Sequence, residues 1–173
     1  MSGVVALTPR LELFILALLS GNTAYYVLAG RASEALDSLA WYVLLILFTL
    51  EAARGHAQRS PKILALMRGL RALAILTIAT TAVLYVREAA WLDAANLFLW
   101  ILVVALLEIE LRFPATVRAQ RTLFTWTATL LYATLGALLL VWLTRGEWMD
   151  AWDAALWLAA FGVLELDLLN RMR

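Results

Sequence analysis

Runs of about twenty residues dominated by Leu, Ala, Val, Ile and aromatic side chains recur from one end of this sequence to the other, and that recurrence limits the fold more than any motif does. A helix rises ~1.5 Å per residue, so roughly 20 residues cross a hydrocarbon layer of about 30 Å while satisfying every backbone donor and acceptor internally. Six such spans are expected, at residues 11–29, 35–53, 64–86, 92–111, 123–143 and 151–169. One apolar run near the start would fit a cleaved leader, but six do not. With 64% hydrophobic and 16% charged residues, most of the surface is matched to lipid rather than to water. The expected fold class is therefore all-α, an integral membrane protein forming a single transmembrane domain.

The basic residues alternate between the two sides that six spans would define. Arg10 precedes the first span, and Arg54, Arg59, Lys62, Arg68 and Arg71 surround the second connection between spans. Arg112, Arg118 and Arg121 fill the fourth connection, and Arg171 and Arg173 follow the last span. The opposite side carries only Arg31, Arg87 and Arg145. Positive charge is retained on the cytoplasmic side of membranes, so both termini are expected there, in a bacterial inner membrane. Tyr25, Tyr26, Trp41, Tyr42, Tyr85, Trp91, Trp142, Trp148 and Trp152 gather near the outward ends, where an aromatic belt is expected.

The even spans share a pattern with a period just under sixty residues. Glu34, Asp37, Trp41 and Glu51 in the first copy correspond to Asp93, Asn96, Trp100 and Glu110 in the second, and to Asp150, Asp153, Trp157 and Asp167 in the third. Three tandem helical hairpins follow, at about residues 11–53, 64–111 and 123–169, all in one orientation and expected to pack with pseudo-threefold symmetry about the membrane normal. The odd spans carry hydroxyl residues instead: Ser20, Asn22 and Thr23, then Thr77, Thr80 and Thr81, then Thr122, Thr125, Thr127, Thr129 and Thr134. These are expected to support close packing and to bond back to their own helix carbonyls. Ser60 and Pro61 read as the N-cap and first turn of the third helix.

Within each even span the shared positions fall on one helical face. The acids of that face bracket an apolar run shorter than a hydrocarbon core, so some carboxylates fall within the membrane's thickness, where Asp and Glu face protein or water rather than lipid. An outer rim is expected from Glu34, Asp37, Asp93, Asn96, Asp150 and Asp153, with first-turn positions accounting for its acids through the helix dipole. An inner ring is expected from Glu51, Glu108, Glu110, Glu165 and Asp167, at helix C-terminal ends where the dipole opposes negative charge. Arg54, Arg112 and Arg171 stand three or four residues beyond inner acids, a spacing that makes same-face ion pairs. Trp41, Trp100 and Trp157 lie one turn below the rim, placed to plug a bundle or to bond the rim acids through the indole N–H.

Several classes of function are unsupported. Cys is absent and His56 is the single histidine, which removes disulfides, thiolate metal centres and histidine clusters from one chain. No phosphate-binding glycine loop, nucleophile triad order or zinc-protease motif occurs, so no enzyme activity, cofactor or dedicated metal site is expected. No nucleic-acid partner is expected; the bilayer is the expected one, with the basic loop near anionic headgroups. The leading expectation is a channel or transporter for a cation or proton. The alternatives are an accessory or scaffold subunit, as a homo-oligomer or within a larger membrane complex, and a lipid-binding membrane protein.

Overall fold

The computed structural model describes the backbone of residues 9–54 and 60–171, and the side chains of residues 13–50 and 60–162 apart from Leu111 and Pro114. Among these residues every regular element is helical: α1 (Pro9–Ala29), α2 (Ala32–Arg54), α3 (Pro61–Arg87), α4 (Trp91–Arg112), α5 (Pro114–Ala119), α6 (Arg121–Arg145) and α7 (Trp148–Arg171). Four are long and apolar enough to cross a membrane: Ala32–Leu50, Pro61–Arg87, Trp91–Glu110 and Arg121–Arg145. A shorter apolar segment covers Leu13–Ala29. The short α5 is an element the sequence reading lacks. Pro114 opens it after Phe113, and its described side chains are largely exposed.

Helix ends follow local chemistry. Ser60 caps α3 by accepting from Ile63 N at 3.4 Å, with Pro61 in the first turn, as the sequence implies. Arg31 stands just before α2, and the Glu34 carboxylate reaches back to accept its backbone N–H at 2.8 Å, the reciprocal half of a capping box. Asp93 and Asp150 occupy the same third position in α4 and α7. Gly146 ends α6 in the left-handed conformation, φ 75°, where a side chain is disfavoured. Ala89 adopts the same conformation after α3, φ 56°, without glycine's freedom.

The chain forms two compact units. One is Leu19–Ala90, in which α2 packs on α3 and the end of α1 meets α2. The other joins Trp91–Arg173 with Met1–Leu18, and here α6 packs against both α4 and α7. Trp142, Ala151 and Ala154 form a buried cluster in this second unit, covered by Leu92, Leu138, Leu139 and Leu143. Large apolar side chains stay exposed along α3 (Leu66, Leu73, Leu76) and α6 (Leu123, Leu130, Leu140), as lipid-facing surfaces do.

Candidate functional site

The helical face that carries the shared residues is the inward one wherever its side chains are described. Trp41, Leu44, Trp100, Val103, Trp157 and Ala160 are all buried, whereas Leu39, Leu102 and Trp152 on other faces are exposed. In the second unit Trp100, Trp157 and Phe161 form a tilted aromatic group, with Trp100 and Phe161 centroids 4.8 Å apart and Trp100 and Trp157 6.5 Å apart. Large side chains fill this layer, so its contribution is packing.

The rim residues divide into two kinds. Glu34, Asp93 and Asp150 stand in first turns, where the helix dipole favours a negative charge. Asp37, Asn96 and Asp153 stand sixth in their helices, beyond the first turn, so the dipole account expected for these two acids does not reach them. Asp153 accepts from the Trp157 indole N–H at 3.1 Å, one of the two roles the sequence suggests for that tryptophan. Asn96 has a buried Oδ1 with no hydrogen-bond partner.

Asp37 has the most elaborate setting. It is half-buried on α2, and α3 brings two hydroxyls to it: Thr81 Oγ1 lies 3.5 Å from Oδ1, and Tyr85 donates to Oδ2 at 3.4 Å. Thr81 and Tyr85 are themselves buried. Nearby positions on α1 and α2 are polar and buried as well: Asn22, Thr23, Ser33 and Ser38. Ser38 donates to Thr23 Oγ1 at 3.1 Å, and Ser20 shares a hydrogen bond with Tyr42. Polar groups inside an apolar bundle persist only when bonded to one another, so this cluster ties three helices together.

An ionic latch lies beside that cluster, where the ends of α1 and α3 meet the start of α2. Arg31 binds Glu34 Oε1 through Nε at 2.6 Å and reaches Glu88 Oε2 through a second guanidinium nitrogen at 3.1 Å. Ser33 Oγ, which is fully buried, donates to the same Glu88 oxygen at 2.7 Å. Sequence reasoning missed Glu88 and Ser33 as polar-site residues because they belong to no repeated position, and it placed Tyr85 in the aromatic belt rather than beside an acid. The available signal was two acids, Glu34 and Glu88, each near a basic residue at a turn.

At the C-terminal end of α4, Arg112 pairs with Glu108 at 2.7 Å, the four-residue spacing the sequence implies. Arg71 places its guanidinium 5.2 Å above the Phe48 ring, a cation–π contact. Glu110 is half-buried. The side chains of Glu51, Glu165 and Asp167, three members of the expected inner ring, lie outside the described residues. Among the odd-helix hydroxyls, Thr77, Thr80, Thr127, Thr129 and Thr134 each bond the carbonyl four residues back, as expected, while Thr23 and Thr81 make contacts between helices. Comparison with family models, with curated proteins and with solved structures found no match for this chain.

Proposed function

We propose that this chain is a six-span membrane protein, with both termini cytoplasmic, that binds and moves a small cation or proton through the acid-bearing faces of α2, α4 and α7. The carrying observation is Asp37, a half-buried carboxyl within an apolar span, met by Thr81 and Tyr85 from the neighbouring helix. Acids at such depth are costly, and in membrane proteins they characteristically mark ion or proton pathways. The repeated placement of Glu34, Asp37 and Trp41, of Asp93, Asn96 and Trp100, and of Asp150, Asp153 and Trp157 supports reading the hairpins as equivalent, each with an acid-bearing face of its own. Burial of Tyr26, Tyr85 and Trp142, which share the same spacing in the odd helices, agrees with that equivalence.

Reconstitution tests the reading. Purified chain in liposomes should pass protons, K⁺ or Na⁺ faster than empty vesicles, and Asp37→Asn should return the flux to the empty-vesicle level. Wild-type flux equal to that of empty vesicles removes the proposal. A second reading, an accessory subunit, draws on the open apolar faces of α3 and α6, which suit a partner helix as well as lipid. Purification in mild detergent with a foreign chain at fixed stoichiometry would favour it.

A further inference from the structure

Thr81 has one hydroxyl proton and two oxygen neighbours. Its Oγ1 lies 2.9 Å from the carbonyl oxygen of Ile78 and 3.5 Å from Asp37 Oδ1. A carbonyl oxygen has no proton to give, and neither does an ionised carboxylate. The shorter contact takes the threonine proton. Thr77 and Thr80 behave the same way on this helix, donating to carbonyls four residues back at 3.0 Å and 2.9 Å. Thr81 Oγ1 therefore turns a lone pair toward Asp37 Oδ1, and Thr81 is wholly buried, so bulk water does not mediate between the two oxygens. Two acceptors facing each other, one of them wholly buried, repel unless one carries a hydrogen.

We propose that Asp37 is a proton-binding site, its carboxyl neutral and donating from Oδ1 to Thr81 while Oδ2 accepts from the Tyr85 phenol. The ligand is H⁺ itself. This inference rests on the reading of Asp37 as a group that handles a small cation, and it narrows that cation to the proton. Release balances simply. The Oδ1–H bond breaks, its electron pair stays on the carboxylate, and the proton passes to water. The Thr81 hydroxyl then rotates from the Ile78 carbonyl to Oδ1, while Tyr85 goes on donating to Oδ2. A rotatable hydroxyl at position 81 thus pairs with Oδ1 in both states, which neither valine nor a fixed donor can do.

Infrared spectroscopy of the full chain in lipid vesicles at neutral pH tests this without measuring transport. The wild-type minus Asp37→Asn difference spectrum should contain the C=O stretch of a protonated carboxyl. Thr81→Val should shift that band upward by removing its acceptor, and Thr81→Ser should leave it in place. No such band in the difference spectrum overturns the proposal, as does a band that appears only after Na⁺ is removed, which would assign the site to a metal cation. If Asp37→Asn fails to fold, the Thr81 pair decides, and equal band positions in Thr81→Val and Thr81→Ser overturn the inference. A band present in vesicles that show no flux keeps the proton site and sinks the transport reading; flux without the band does the reverse.

Discussion

The turns after α3 and α6 close with the same pair of backbone hydrogen bonds built on different residues. After α3, Ala90 N donates to Tyr85 O at 2.9 Å and Ala89 N to Val86 O at 3.2 Å; after α6, Glu147 N donates to Trp142 O at 3.0 Å and Gly146 N to Leu143 O at 3.2 Å. Ala89 and Gly146 are both left-handed, a conformation that costs an L residue roughly 1–2 kcal/mol. Glycine avoids that cost but loses about 0.5–1 kcal/mol more backbone freedom on folding. The difference makes Ala89→Gly stabilising by about 0.5–1 kcal/mol. Gly146→Ala should destabilise by a similar amount, about 0.5–1 kcal/mol, through conformation alone, because the nearest atom to an added Cβ is Trp148 Nε1 at 4.0 Å. Gly30 is limited by space instead. A Cβ there would sit 2.7 Å from the Tyr26 carbonyl oxygen and 3.0 Å from Glu34 Oε2. Overpacking of this kind costs about 1–3 kcal/mol, so Gly30→Ala should be the worst of the three. Reversible unfolding in bicelles, followed by steric trapping or by loss of helical circular dichroism, should give the stability order Ala89→Gly, wild type, Gly146→Ala, Gly30→Ala. A destabilised Ala89→Gly, or a Gly30→Ala variant as stable as wild type, refutes the reasoning.

The same unfolding assay checks three further expectations. Ser33→Ala removes a buried donor to the Glu88 carboxylate and should cost about 1–2 kcal/mol, since a hydrogen bond to a charged group is lost while Arg31 remains on Glu88. Arg112→Ala should cost no more than about 0.5 kcal/mol, because the pair with Glu108 is a single-helix contact whose arginine side chain is 71% exposed. Thr127→Val should change stability by less than about 0.5 kcal/mol, because this exposed hydroxyl bonds only the carbonyl of Leu123 in its own helix; a larger loss would assign it a contact with another chain.

The helical architecture is legible in the sequence because the membrane permits so few ways of satisfying a backbone. Apolar length places α2, α3, α4 and α6, and Ser60 with Pro61 sets the start of α3. The face bearing Trp41, Trp100 and Trp157 is likewise readable, since a helix with acids and tryptophans at intervals of three and four must turn that face inward. Pairings between helices are not readable. Nothing in a lone threonine tells Thr81, which meets Asp37 across helices, from Thr80 one residue earlier, which bonds its own helix. The Arg31–Glu88 contact joins residues 57 apart, and that proximity exists only once α2 has packed on α3. Short α5 escaped for a different reason: six residues bury too little to impose a periodic pattern.

Asp37, Asn96 and Asp153 occupy the same position in their helices, yet their surroundings answer a buried polar group in three ways. Asp37 meets two hydroxyls of a neighbouring helix, and Asp153 takes an indole N–H from one turn along its own. Asn96 leaves its Oδ1 unbonded. An unsatisfied buried acceptor already carries a desolvation cost of about 1–3 kcal/mol, so removing it should not hurt. Asn96→Leu is therefore expected to be neutral or stabilising by up to about 1 kcal/mol, whereas Asn96→Asp adds a charge where no donor waits and should destabilise by at least about 1–3 kcal/mol. Both variants keep the chain's helical length, so stability measured by unfolding separates them directly. If Asn96→Asp were as stable as wild type, a donor or a cation would have to reach position 96 in the membrane, and the local chemistry of α4 would resemble that of Asp37 rather than differ from it.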